Sequence, residues 1–277
     1  MKVFAIGDLH LSGNPPTKPM DIFGPHWNDH WSRIKEHWNA NVSDEDIVFL
    51  VGDMSWALRL NEAACDLQEI ASLPGKKYMI RGNHDYWWAS ANRCIISWVT
   101  LLPLYKVTAP QKLSKPRRAA PYCIRWNARL PLSWRLPLLP RNGQSIYDRE
   151  LMRTEAALQE MNKAVDILRE EITAEANVDI TKLNKADTTD SDKAYPSAID
   201  IDSIPVTKIL LLHYPPFNES NAPSGFTDLI EQYKVDTCIF GHLHDQISFK
   251  RIPKEFGSAK LELVSADYLD FRLKEIM

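Results

Sequence analysis

An α/β layered domain is the fold this sequence predicts, and three observations point to it. Short apolar runs of strand length alternate with stretches of helical periodicity. Gly and Pro punctuate most junctions. The chain of 277 residues, 44% hydrophobic and 25% charged, is long enough to bury a sizeable core. Six runs read as strands: Lys2–Gly7, Asp46–Val51, Lys77–Ile80, Lys208–Leu212, Thr237–Phe240 and Leu261–Val264. Most are apolar throughout instead of alternating, which is the pattern of strands covered on both faces.

Helical patterns lie between these runs. Trp27, Trp31, Ile34 and Trp38 recur at spacings of four, three and four, an amphipathic helix. Ala64, Leu67 and Ile70 repeat the stripe before Pro74-Gly75 stops it. Leu151, Leu158, Met161, Val165, Leu168 and Ile172 mark a long helix with acids and bases on its other side. Two stretches break the rhythm. Residues 177–205 are rich in Asp, Thr, Ala and Ser and show no periodicity, so a flexible loop is expected there. From Tyr86 to Tyr147 there is no Asp or Glu in 62 residues, but ten Lys or Arg and seven of the eighteen prolines. Within it, residues 97–144 form an anomalous segment in which prolines interrupt every candidate element. The rest of the chain carries a balance of −13, which the segment offsets to a total of −3.

That near-zero total gives no reason to expect nucleic acid or an anionic membrane as the main partner. No apolar run approaches the roughly 18 residues of a membrane-spanning helix. The first residues turn polar at Asp8, too soon for a signal peptide. Cys65, Cys94, Cys123 and Cys238 show no framework spacing, so free thiols and a cytoplasmic location are expected.

Chemistry-bearing residues collect where strands end. The first strand runs into Asp8-Leu9-His10, and the second into Gly52-Asp53. The third is followed by Arg81-Gly82-Asn83-His84-Asp85, the fourth by His213, and the fifth by Gly241-His242-Leu243-His244. Period-two geometry would put Asp8 and His10 on one face, and likewise His242 and His244. Each block alone is more often a turn, a surface histidine or a satisfied core histidine than a ligand. Taken together, five of the eight histidines sit at or just after strand ends beside Asp, Asn or Gly. Carboxyl ends of strands are where α/β sheets build sites, and two groups of N and O donors suit a pair of transition-metal ions. Three weaker features stand beside these. His26, His30 and His37 read as surface or core-edge residues of the first helix, and Trp56, Tyr86, Trp87 and Trp88 as core packing more than substrate stacking. The Lys112 to Arg118 patch only superficially resembles a nucleic-acid surface.

In order and content, the five blocks resemble the calcineurin-like metallophosphoesterase superfamily, with flanking text similar to a bacterial-type predicted phosphohydrolase branch. The resemblance covers residues 1 to about 95 and 206 to 270. It implies one domain over residues 1–277, a four-layer α/β/β/α sandwich with an atypical middle segment. It implies one metal held by Asp8, His10, Asp53 and His244 and a second by Asp53, Asn83, His213 and His242, with Asp53 shared. Four histidine ligands favour Mn, Fe, Zn or Co over Mg. The implied reaction is hydrolysis of a phosphate mono- or diester by a metal-bridging hydroxide, with His84 assisting the leaving group and Asp85 orienting His84. The substrate would be a small-molecule or nucleotide phosphate ester, with nucleic acid a partner only as substrate and no membrane partner. The alternatives are a nuclease, a cyclic-nucleotide phosphodiesterase, or a non-catalytic scaffold on the same fold.

Relatives in that branch continue past the third block into a Gly-Thr-Arg-Gly-like stretch that residues 97–144 lack. A shifted reading frame accounts for this, and a genuine basic insertion is the rival. Trp126 has the single codon TGG and Asn127 begins with A, so the next frame reads GGA, glycine. The codons that follow permit Thr, Arg and Gly.

Overall fold

The structure, a computed structural model, describes residues 1–88, 98–104, 117–122, 143–186, 206–218 and 220–277. Its strands are β1 (Val3–Ile6), β2 (Ile47–Val51), β3 (Lys76–Ile80), β4 (Trp98–Leu104), β5 (Arg117–Tyr122), β6 (Thr207–Leu211), β7 (Thr237–Phe240), β8 (Glu255–Phe256), β9 (Ala259–Leu263) and β10 (Lys274–Glu275). The helices are α1 (His30–Asn41), α2 (Leu60–Ser72), α3 (Gly143–Ala186), α4 (Gly225–Gln232) and α5 (Gln246–Arg251). One sheet has the order β10-β1-β2-β3 and the other β5-β4-β6-β7-β9-β8. Each has a parallel run, β1-β2-β3 or β6-β7-β9, with an antiparallel strand at one margin of the first sheet and at both margins of the second.

Period-two alternation divides the core. Val3, Ala5, Phe49 and Val51 of the first sheet meet Ile209, Leu211 and Ile239 of the second in one buried cluster, so the sheets pack face to face. The alternate residues Phe4, Ile6, Val48 and Leu50 turn to α1 and α2, against Ile34, Trp38, Ala63 and Ile70. Leu210, Cys238 and Phe240 turn to α3 and α4, against Leu158, Met161, Leu229 and Ile230. Strands buried on both faces explain the uniformly apolar runs. At the carboxyl ends the two sheets join: Gly7 donates its N–H to Val264 O, and Ala266 returns one to Gly7 O. All five sequence blocks lie at this seam.

Three sequence expectations are corrected. Helix α3 extends through Ala186, ten residues into the stretch expected to be a loop. The spacing of Ile172, Ala176, Ile180 and Leu183 is in fact helical, and no Gly or Pro intervenes. Residues 187–205 lie outside the described residues. Within the acid-free segment, β4 and β5 form strands despite Pro103 and Pro121. The ladder shifts register between Leu102 and Leu104, around Pro103, and Pro121 is on the edge strand, where a missing N–H is tolerated. The other residues between 97 and 144, except Gly143 and Gln144 at the start of α3, are outside the described ones. Trp27 belongs to a 3-10 turn, Pro25–Trp27, because Asp29 is left-handed and α1 starts only at His30. Cys65 and Cys238 are free thiols; Cys94 and Cys123 are outside the described residues. Among the described residues, no helix is long and apolar enough to cross a membrane.

Candidate metal centre

Three of the five sequence blocks leave their strands through a backbone turn that ordinary residues avoid. Asp8, His10, Asp53 and His242 have φ of 57°, 49°, 57° and 73°, the left-handed region. Such conformations cost about 1–3 kcal/mol each, and they persist where the surroundings over-determine them. This corrects the period-two reading: Asp8 and His10 converge through left-handed turns, not through an extended strand. His242 and His244 go to different groups, one with Asp53 and His213 and the other with Asp8 and His10. Two glycines make room. A Cβ on Gly82 would collide with the Asp53 carboxylate, and a Cβ on Gly241 with that of Asp8.

Backbone donors aim both carboxylates. Asp8 Oδ2 accepts the N–H of His242 at 2.9 Å, and Asp53 Oδ1 accepts that of His84 at 2.7 Å. Asp85 is fully buried but is not on the His84 ring, contrary to expectation. It accepts the N–H groups of Asp53 and Gly82 at 2.8 Å, of Met54 at 2.9 Å, and the Trp87 indole N–H at 3.1 Å. It therefore ties the Gly52-Asp53 turn to the Gly82-Asn83-His84 turn. Its proximity to these backbone donors follows from its position at the turn's base, so no direction remains for His84. Burial, above all, raises its pKa, opposed by those donors.

Two ligand groups result. Asp8, His10 and His244 offer atoms within 4.8 Å of one another, and so do Asp53, His213 and His242. In the first, the Nε2 atoms of His10 and His244 are 3.4 Å apart. Two nitrogens sharing a tetrahedral ion at about 2.1 Å are separated by roughly that distance. In the second, His213 Nε2 lies 2.8 Å from Asn83 Oδ1 and 3.4 Å from Asp53 Oδ2. His213 Nδ1 is 3.0 Å from Val51 O, which can only accept, so Nδ1 carries the proton and Nε2 presents its lone pair to the site. His244 is set in the same way, by Asp267 Oδ1 at 2.9 Å from Nδ1. Lone pairs facing one another across a buried gap call for a cation. Asp8 Oδ1 is buried without a hydrogen-bond partner, which adds a further free donor atom. The N and O donor set, with four imidazoles, fits divalent transition metals.

The electrostatics agree. Burial disfavours charge on His213 and His244, yet Asp53 and Asp8 raise the first to about 9, and Asp267 and Asp8 the second to about 10. That second proton sits on Nε2, so a cation that takes the Nε2 lone pair must displace it. Burial drives His10 down to about 4, keeping it neutral and able to ligate. Burial would raise Asp8 and Asp53, but the neighbouring histidines prevail and lower both.

The structure thus brings Asp8, His10, Asp53, Asn83, His213, His242 and His244 to one rim. His84 lies against Trp56, with ring centroids 4.3 Å apart, and 5.9 Å from His10. Sequence reasoning missed Asp267 because Ser265-Ala266-Asp267 has no recognisable spacing; only the β9 seam carries it to His244. It also undervalued Trp56, which stacks on His10 at 4.8 Å and 21°. His30 and His37 serve structure, bonding Leu9 O and the Leu273 N–H, and His26 is exposed. Trp87 is buried as expected.

Comparison with known families decides what kind of centre this is. Residues 1–246 match the family described as calcineurin-like phosphoesterase. The chain belongs to that family. The family is one of phosphoesterases, and the two Asp/His groups are sets of residues that could hold metal ions. The phosphoesterase is 34% identical over 84 residues to the gene 66 protein of Mycobacterium phage D29; the match covers 30% of this chain and 40% of that relative's length. A protein of unknown function from Aquifex aeolicus, AQ665, shares 12% identity and a TM-score of 0.42, over 99% of this chain and 95% of that one.

Proposed function

We propose that this phosphoesterase hydrolyses a phosphate mono- or diester with two divalent cations, drawn from Mn, Fe, Zn or Co. The observation that supports it is the pair of ligand groups at one seam, with lone pairs of His213, Asn83 and Asp53 turned on a common point. When bound, the cations would supply the charge that clamps a phosphate and a water ionised near neutral pH. Asp8, His10 and His244 would hold one, and Asn83, His213 and His242 the other, with Asp53 shared between them. The Asp53 and Asp8 charges both act on His10, His213 and His242, as a shared position requires.

The chain's own residues then position and protonate. Packing fixes the His84 ring against Trp56 with its Nδ1 buried, so Nε2 would be the nitrogen that gives a proton to the departing alkoxide. Asp85 keeps His84 in register only indirectly, by clamping the turn that carries it. The substrate is a small-molecule or nucleotide phosphate ester, acted on in the cytoplasm. Hydrolysis of aryl phosphate mono- and diesters with Mn²⁺ added tests the reading. Wild type should be active and Asp53→Asn and His84→Ala impaired; equal rates in all three would sink it. The frameshift in residues 97–144 stands as a separate proposal. If codons 93–147 encode no Gly-Thr-Arg-Gly-like stretch in another frame, it fails.

A further inference from the structure

We infer that the cavity beside Trp56 is the subsite for the organic group of the ester, and that this group is apolar and of ring size. The inference rests on the phosphohydrolase reading and adds the substrate class. The cavity has a volume of about 370 Å³ and is walled by Lys18, Pro19, Met20, Ile22, Phe23 and Trp56. Ligand pockets begin near roughly 300 Å³, and a cavity of about 150 Å³ already admits benzene. Ile22 and Phe23 are 75% and 61% exposed on the 3-10 turn Met20–Phe23, so the molecule leaves this apolar wall in water. A ligand that dries them gains the burial energy that the fold does not collect.

Trp56 joins this cavity to the chemistry. His10 stacks on the indole and His84 leans on it, and those two imidazoles are too close, at 5.9 Å, to lie on opposite faces. Lys18 Nζ lies 5.1 Å from the centre of the same ring. The indole therefore touches both His10 and His84 and also walls the apolar cavity. A phosphate held at the metal centre would have its ester group beside His84, whose ring lies against the indole that walls the cavity. Lys18 sets a cation at the mouth, complementary to the ester's charge.

The cavity wall is also fixed relative to the centre. Buried Asp66 accepts the Gly13 N–H at 2.8 Å and the Ser55 hydroxyl at 2.6 Å, and Ser55 is two residues from Asp53. Ser12 Oγ holds Lys18 through its N–H and its carbonyl, both at 3.0 Å, and the Trp56 indole N–H meets Met20 Sδ at 3.4 Å. Loop and ligand turn are thus one braced unit, as a preformed subsite requires.

The test compares partners that differ only in the ring. Calorimetry on the full chain with Mn²⁺ would measure 2-phenylethylphosphonate against ethylphosphonate, and hydrolysis assays would use the corresponding phosphates. The ring should tighten binding about 10- to 100-fold. The double change Ile22→Asp with Phe23→Asp should erase that preference, whereas Ile167→Asp, an exposed apolar position on α3, should keep it. Equal affinity for the two phosphonates, binding of neither, or a preference that survives the double change would overturn the inference. A ring preference without hydrolysis would uphold the subsite and sink the catalytic reading; hydrolysis without a preference would do the reverse.

Discussion

The two ligand groups are held by different kinds of structure. Around Asp53, His213 and His242 the orienting partners are backbone: Val51 O fixes His213, and the His84 N–H fixes Asp53. Around Asp8, His10 and His244 the backbone orients only the carboxylate, through the His242 N–H, and side chains set the imidazoles: Asp267 fixes His244, and Trp56 covers His10. The first group is also deeper. The His213 side chain is 4% exposed and that of His244 34%. A ligand set by main chain cannot be lost through a neighbouring substitution, and a ligand set by a side chain can. The difference teaches that the Asp53 group anchors the centre and the Asp8 group is where affinity is adjustable.

That contrast can be broken at several points. The largest effect is expected from Asp53→Asn, which removes charge from the anchored group and from the residue proposed to be shared. kcat/KM for an aryl phosphate should fall by roughly 10³-fold, the equivalent of about 4 kcal/mol. A smaller fall, comparable to changes at the outer group, would erase the distinction. His84→Ala should lower kcat about 10²-fold while elemental analysis still finds the metal content of wild type, since its ring is placed against Trp56 and not among the ligand groups. Metal loss in that variant would assign His84 to the ligands.

Asp267→Asn probes the adjustable side. Losing the carboxylate behind an imidazole ligand typically weakens metal affinity by about 10- to 100-fold, and excess Mn²⁺ should restore most of the activity. Unaltered affinity would mean that packing alone fixes His244. The smallest effect is on stability. Withdrawing the weaker ion alone, when it is present at about 100 times its dissociation constant, removes about 2.7 kcal/mol. A fall of roughly 5–10 °C in Tm is then expected for a chain of this size.

How much of this was legible in the sequence follows from the same contrast. The apolar runs gave β7 to the residue and the other predicted strands to within two residues, because strands covered on both faces leave an unbroken signal. Helices α4 and α5 carried none, being only 8 and 6 residues long. The candidate site was legible because Asp8, His10, Asp53, Asn83, His84 and the Gly241-His244 run sit in local blocks with glycines that the carboxylates need. Partners that act across the seam were not. Asp267 reaches His244 from 23 residues away, and Asp85 turns to the backbone of Asp53, 32 residues away. Nothing in local spacing reports such pairings. Nor could periodicity show that left-handed turns, and not extended strand, aim Asp8 and His10.

The central claim is a two-ion centre with one anchored and one adjustable half, and a Mn²⁺ titration of the metal-stripped chain tests it most directly. Calorimetry with elemental analysis should find two ions per chain in two steps of unequal affinity, and Asp267→Asn should weaken only the weaker step. A single ion, two equal steps, or a loss of the tighter step in Asp267→Asn would contradict the account.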